Sequence, residues 1–145
     1  MTRTRVLLGL SILLIASGLF HLLVFALDDR PWAGPVSWRK PATFGISFGL
    51  TLASVVWVTG YLRLGDRARS LLLGVFGADC VVEVAGITLQ AWRDVPSHLN
   101  RSTPFNQSVA VVLAGGGAVL IGVLGIFAWI AVRGHIDAAA SMRLA

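Results

Sequence analysis

Four long apolar runs constrain the fold of this 145-residue chain more than any other feature. The runs cover 6–27, 42–62, 70–92 and 108–132, and each can cross a hydrocarbon core of roughly 30 Å at about 1.5 Å per residue. Charged residues make up 13% of the chain and lie mostly between the runs. The sequence therefore predicts an all-α, polytopic membrane protein, with four transmembrane helices in an up-down antiparallel bundle and one domain over 1–145.

The connecting segments predict the topology. Two polar segments that contain Pro and Arg, 28–41 and 93–107, lie on one side of the bundle, and a short basic turn, 63–69, lies on the other. Seven of the twelve Lys and Arg residues flank the spans on the side of the termini. We therefore expect a multi-pass protein of the inner cell membrane with cytoplasmic termini and the two long loops outside. Basic residues beside apolar spans favour membrane lipids as partners rather than nucleic acid, despite the net charge of +5.

Two acids inside the third run are the strongest functional signal. Asp79 and Glu83 are four residues apart, so they share one helix face. A carboxylate at bilayer depth is costly and usually faces a protein interior or a water-filled cavity. Two close carboxylates repel when both are ionised, so we expect the pair to share a proton. Glu83 lies nearer the outer side and is the better candidate for chemistry, whereas Asp79 is the better candidate for a protonated structural acid.

Other polar residues repeat along the runs at helical spacing. Besides the two acids, these stripes contain Ser17, His21, Thr43, Ser47, Thr51, Ser54 and Gln90. Their expected depths overlap, so the stripes of the first three runs are predicted to line a polar pocket that opens outward. In the alternative interpretation, the serines and threonines bond to their own backbone or hold neighbouring helices together.

The two outer segments are dense in aromatic and hydrogen-bonding residues. They are predicted either to anchor the protein at headgroup level or to cover the pocket. In the second case Arg39, Lys40, Arg93 and Arg101 would attract an anion, while His98 and Asn100 would offer polar contacts.

Small residues within the runs predict close helix packing. The second run contains Gly45 and Gly49 in a GxxxG pattern, and such patterns let helix backbones approach. A ridge of small residues in the fourth run has the same interpretation; it consists of Ala114, Ala118 and Gly122. The glycines 115–117 follow no strand and precede no Lys-Ser/Thr, so they do not form a phosphate-binding loop.

Several motifs resemble those of a group of small four-span bacterial integral membrane proteins. The shared features are Trp38-Arg39-Lys40-Pro41, the intramembrane Glu83, Gln90-Ala91-x-Arg93 and Ser97-His98-x-Asn100. The resemblance covers most of the chain, and it departs from the pattern at Leu99, where the group would have phenylalanine. It implies the four-span topology and the choice of site residues, and no established activity accompanies it.

Four functions are compatible with these patterns. The favoured one is an outward-facing pocket that binds a small ligand, metal ion or cofactor; His21, Glu83 and His98 would ligate a metal, or the two histidines a haem. The second is a membrane-embedded enzyme acting on a lipid or hydrophobic substrate, with Glu83 or Asp79 as acid/base and His98 or His21 as its partner. The third is a proton-coupled carrier or channel subunit, which would form a homo-oligomer. The fourth is a structural accessory subunit.

Overall fold

The computed structural model describes residues 2–133, which form four helices. These are α1 (Thr2–Leu27), α2 (Arg39–Thr59), α3 (Asp66–Trp92) and α4 (Pro104–Val132). Each is long and apolar enough to cross a membrane. Short connections make successive helices antiparallel, so the predicted all-α, four-span, up-down bundle is confirmed.

The helices begin a few residues before the apolar runs, because their first turns include polar and charged residues such as Arg39 and Asp66. Thr103 caps α4 by accepting a hydrogen bond from the Asn106 N–H at 3.2 Å, and Pro104 occupies the first turn, where its missing N–H costs nothing. At the other end of the bundle, α2 stops at Thr59 rather than at the predicted 62, with Gly60 as its C-cap.

The α1–α2 pair has the most extensive helix contact in the bundle. A methyl group added at Gly18 would lie 2.6 Å from the backbone N of Ile46, and one added at Gly45 would lie 2.7 Å from the backbone N of Gly18. The two backbones therefore touch, as the GxxxG pattern predicted. The ridge in α4 differs: Ala114, Ala118 and Gly122 are all exposed and pack on no helix within residues 2–133.

Helix α3 is the centre of the bundle, since it contacts all three other helices. Its Phe76 and Cys80 are buried among Leu52 of α2 and Leu120 and Phe127 of α4. This apolar core lies towards the end of the bundle that carries the N-terminus, which we call the N-terminal end. The opposite end, which carries the loops 28–38 and 93–103, is the loop end, and most of the buried polar side chains lie on its side.

Candidate functional site

The two intramembrane acids lie between α3 and α4. A methyl group added at Gly116 of α4 would lie 2.6 Å from Oε1 of Glu83 and 2.7 Å from Oδ1 of Asp79. Both carboxylates therefore converge on the backbone of one glycine, and Glu83 is only 3% exposed. A larger residue at this point of α4 would require the two carboxylates to move.

Neither acid has a basic partner. Within residues 2–133, the ion pairs involve other carboxylates, and both Oδ2 of Asp79 and Oε1 of Glu83 are buried without a hydrogen-bond partner. A buried charge without a partner costs several kcal/mol. The arrangement therefore favours the binding of a positive species that neutralises the pair.

The whole polar stripe of α3 faces α4. One turn beyond Glu83, a methyl added at Gly86 would meet Leu113 of α4 at 2.8 Å, and Gln90 donates to Asn106 of α4. The sequence predicted this stripe, but we expected it to face α1 and α2. The feature of the sequence that could have indicated α4 as the partner is the run of three glycines, since the two carboxylates pack against the middle one, Gly116.

The polar stripe of α2 is not part of this site. Thr43, Ser47 and Ser54 are exposed, and the hydroxyls of Thr43 and Ser54 donate to backbone carbonyls one turn earlier, at 2.7 and 2.8 Å. Thr51 is half-buried and lines an apolar groove with Leu124, about two turns along α4 from Gly116. Ser47 and Thr51 are therefore not brought together with the acids, and the hydrogen bonds match the backbone-bonding alternative.

His21 belongs to an aromatic cluster at the loop end. Its Nδ1–H donates to the Ser17 carbonyl at 2.7 Å, and its Nε2 accepts from the Trp92 indole N–H at 3.1 Å. The ring also stacks on Trp38, with centroids 5.8 Å apart. Both ring nitrogens are thus already engaged, so His21 ties α1 to α3 rather than pointing at Glu83.

Arg30 closes this cluster from the first loop. Its guanidinium lies 4.4 Å from the centroid of Trp38, forms ion pairs with Asp28 at 3.4 Å and Asp94 at 3.2 Å, and donates to the Ala91 carbonyl at 3.1 Å. Sequence analysis did not single out Arg30, because its contacts with Ala91 and Asp94 join distant parts of the chain. The side chain joins the two loops above α3.

A second polar network joins α3 to α4. Arg93 donates to the side-chain oxygens of Gln90 and, at 2.7 Å, of Asn106; Gln90 donates to Asn106 at 3.2 Å. Asn106 in turn donates to Ser102, whose hydroxyl donates to Asn100. Of the predicted site residues, this network unites Gln90, Arg93 and Asn100. The network also contains Asn106, which sequence analysis missed. The available signal was its position three residues after Thr103, the residue that caps α4.

His98 lies in a separate part of the loop end. Its Nδ1 is hydrogen-bonded to the Ser97 hydroxyl at 2.9 Å, and its ring lies 6.1 Å from that of Phe44. Burial, and then the nearby Lys40 ammonium, lowers the pKa of His98. Lys40 donates to the Pro35 carbonyl at 3.0 Å, and the Nε of Arg39 is buried without a partner.

The predicted metal ligands do not come together. Within residues 2–133, no three His, Cys, Asp or Glu side chains are placed to hold a metal ion, so His21, Glu83 and His98 do not form one site. Neither His21 nor His98 is hydrogen-bonded to Glu83, so the two predicted partners for acid/base chemistry are engaged elsewhere. The acids and the histidines are distinct features of the molecule.

The packing at Gly116 predicts a specific pattern of alanine effects. Gly116→Ala places a methyl against both carboxylates, so we expect it to lower the free energy of unfolding by about 1 kcal/mol, the lower end of overpacking costs, because the clashing atoms are side-chain ends. The penalty should largely vanish when Asp79 and Glu83 are both alanine, because the clashing oxygens are gone. Gly115→Ala and Gly117→Ala, where an added methyl meets nothing within 4 Å, are the matched controls. Equal losses at all three glycines, in denaturant titrations of the purified protein, would contradict this placement of the acids.

These contacts and the fold define an integral membrane protein with four transmembrane helices and an acid pair at a helix interface. Comparison with protein-family models gives no match, and comparison with curated proteins gives none either.

Proposed function

We propose that this membrane protein binds a proton at the Asp79–Glu83 pair, which is the ligand site of the molecule. The supporting observation is that both acids converge on Gly116 while each keeps a buried oxygen without a partner. In an apolar layer the pair gains most from a species that removes charge. Because the oxygens already pack against the backbone of α4, a proton fits without rearrangement.

The two acids have different positions in this proposal. Glu83 lies closer to the loop end, and Asp79 lies one turn deeper, about 6 Å along α3. In this proposal the pair holds one proton, and the titration belongs to the two carboxylates together. We place the termini in the cytoplasm and the loop end outside, in agreement with the excess of basic residues at the N-terminal end, so Glu83 would be the acid nearer the outer side.

Infrared spectroscopy tests the proposal. At neutral pH the full-length protein in lipid should show the carbonyl stretching band of a protonated carboxylic acid, and the band should disappear as the pH is raised. The Asp79→Asn/Glu83→Gln double variant should lack it, since amides of the same shape cannot be protonated in this range.

The control removes two exposed acids that lie away from the pair. Asp66→Asn/Asp94→Asn eliminates the same number of carboxyl groups from exposed positions, and it should keep the band. Helix content measured by circular dichroism shows whether each variant is folded. Absence of the band in the folded natural protein, or its persistence in the Asp79→Asn/Glu83→Gln variant, would refute proton binding at this pair.

A further inference from the structure

An open groove runs along α3 at the N-terminal end of the bundle, away from the acid pair. It has a volume of about 520 Å³. Its polar end is lined by Arg3, Arg67 and Ser70, and its apolar floor by Leu71, Gly74 and Ala78. The α3 residues among these recur every three or four positions, so they lie on one helix face. We call this feature the inner groove.

The polar end of the inner groove presents two arginines. Arg3 and Arg67 are exposed, and neither forms an ion pair within residues 2–133. The nearby Asp66 is instead directed to Arg69, at 3.5 Å. Guanidinium groups match the geometry of phosphate oxygens, so this end of the groove is complementary to a phosphate.

The floor of the groove is apolar, and its small residues Gly74 and Ala78 leave open space above the helix. A methyl added at Gly74 would meet nothing within 4 Å, and Leu71 is an exposed side chain at its edge. From Arg67 to Ala78 the floor extends roughly 17 Å along the helix, about half of a hydrocarbon core of roughly 30 Å. The groove therefore has the length of one leaflet, which suits an acyl chain.

The position of Arg3 is fixed by packing between α1 and α3. A methyl added at Gly77 would lie 2.8 Å from Cδ2 of Leu7, so α1 rests on the face of α3 next to the groove. Arg3 lies one turn before Leu7, which brings its side chain to the same end as Arg67.

We propose that the inner groove binds an anionic phospholipid. The phosphate lies between Arg3 and Arg67, and one acyl chain follows the floor over Gly74 and Ala78. The positive charge at one end of the groove is complementary to a lipid headgroup, and the apolar floor beside it is complementary to an acyl chain. General attraction of basic residues to an anionic membrane would not depend on these two arginines.

Native mass spectrometry of the full-length protein tests the proposal, with phosphatidylglycerol and phosphatidylcholine of identical acyl chains as probes. The natural protein should bind phosphatidylglycerol roughly thirtyfold more tightly, since each arginine near the headgroup contributes about a factor of five. Arg3→Gln/Arg67→Gln should lose this preference.

Two further variants make the test specific. Arg5→Gln/Arg63→Gln removes the same charge from exposed residues at the same end, and it should keep the preference. Gly74→Leu fills the floor and should weaken binding of the long-chain lipid although both arginines remain. The proposal is overturned if the natural protein shows no preference, if both arginine pairs have equal effects, if Gly74→Leu binds normally, or if a second protein copy rather than lipid occupies the groove.

Discussion

Gly18→Ala is expected to lower the free energy of unfolding by about 3 kcal/mol, which is the upper end of the usual cost of overpacking. The added methyl would lie 2.6 Å from the backbone N of Ile46 and 2.7 Å from the carbonyl O of Ala42. A flexible side chain can turn aside, but backbone atoms cannot move without separating the helices. The substitution should therefore push α1 away from α2 along the most extensive helix contact of the protein.

The measurement is a denaturant titration of the purified protein in mild detergent, followed by circular dichroism. Gly9→Ala is the control, because it lies on the same helix and its added methyl meets nothing within 4 Å. Alanine is the better helix former, so this control should be neutral or slightly stabilising. Equal stability of the two variants would show that α1 and α2 do not approach as closely as Gly18 and Gly45 indicate.

Asn106→Leu is expected to cost about 2 kcal/mol, because it leaves the buried side-chain N–H of Gln90 without an acceptor and removes one acceptor of Arg93. The side chain of Asn106 accepts from Gln90 and Arg93 and donates to Ser102. Gln90 is 0% exposed, so water cannot replace the hydrogen bond that it loses. The loss should loosen the beginning of α4 from the end of α3.

Thermal unfolding in lipid nanodiscs measures this effect. Gln107→Leu makes a similar change from amide to leucine at the next residue, which is exposed, and it should leave the unfolding temperature nearly unchanged. The network would have no role in stability if the two variants melted at the same temperature.

The fold follows from the sequence because hydrophobic length alone determines which segments can span a bilayer. The helix ends did not follow from it; α4, for example, begins at the Thr103 cap, which hydropathy does not detect. The close packing of a neighbouring helix at Gly45 could also be predicted from the sequence, because small residues four positions apart in a membrane helix usually mark a helix–helix contact.

Only one side of the candidate site could be predicted from the sequence. The periodicity of Asp79, Glu83 and Gln90 identified one polar face of α3, but it contained no information on which helix covers that face. The partner is Gly116, and a glycine has no side chain to mark it as part of a polar site. The stripe of α2 appeared to be a better partner, although its hydroxyls bond to their own helix.

The side-chain contacts at the loop end could not be predicted from the spacing of residues within one segment. His21 and Trp92 are 71 positions apart, and Arg30 and Ala91 are 61 apart. Each of these residues is ordinary in its own segment. Only the antiparallel return of the chain brings them to the same end of the bundle.

The position of α4 against the acids has a consequence for how the protein is made. Chains emerge and assemble from the N-terminus, so α3 enters the membrane before its covering helix has been synthesised. During that interval Asp79 and Glu83 have no Gly116 to pack against and face either lipid or the insertion machinery. The arrival of α4 is therefore the step that covers the two acids.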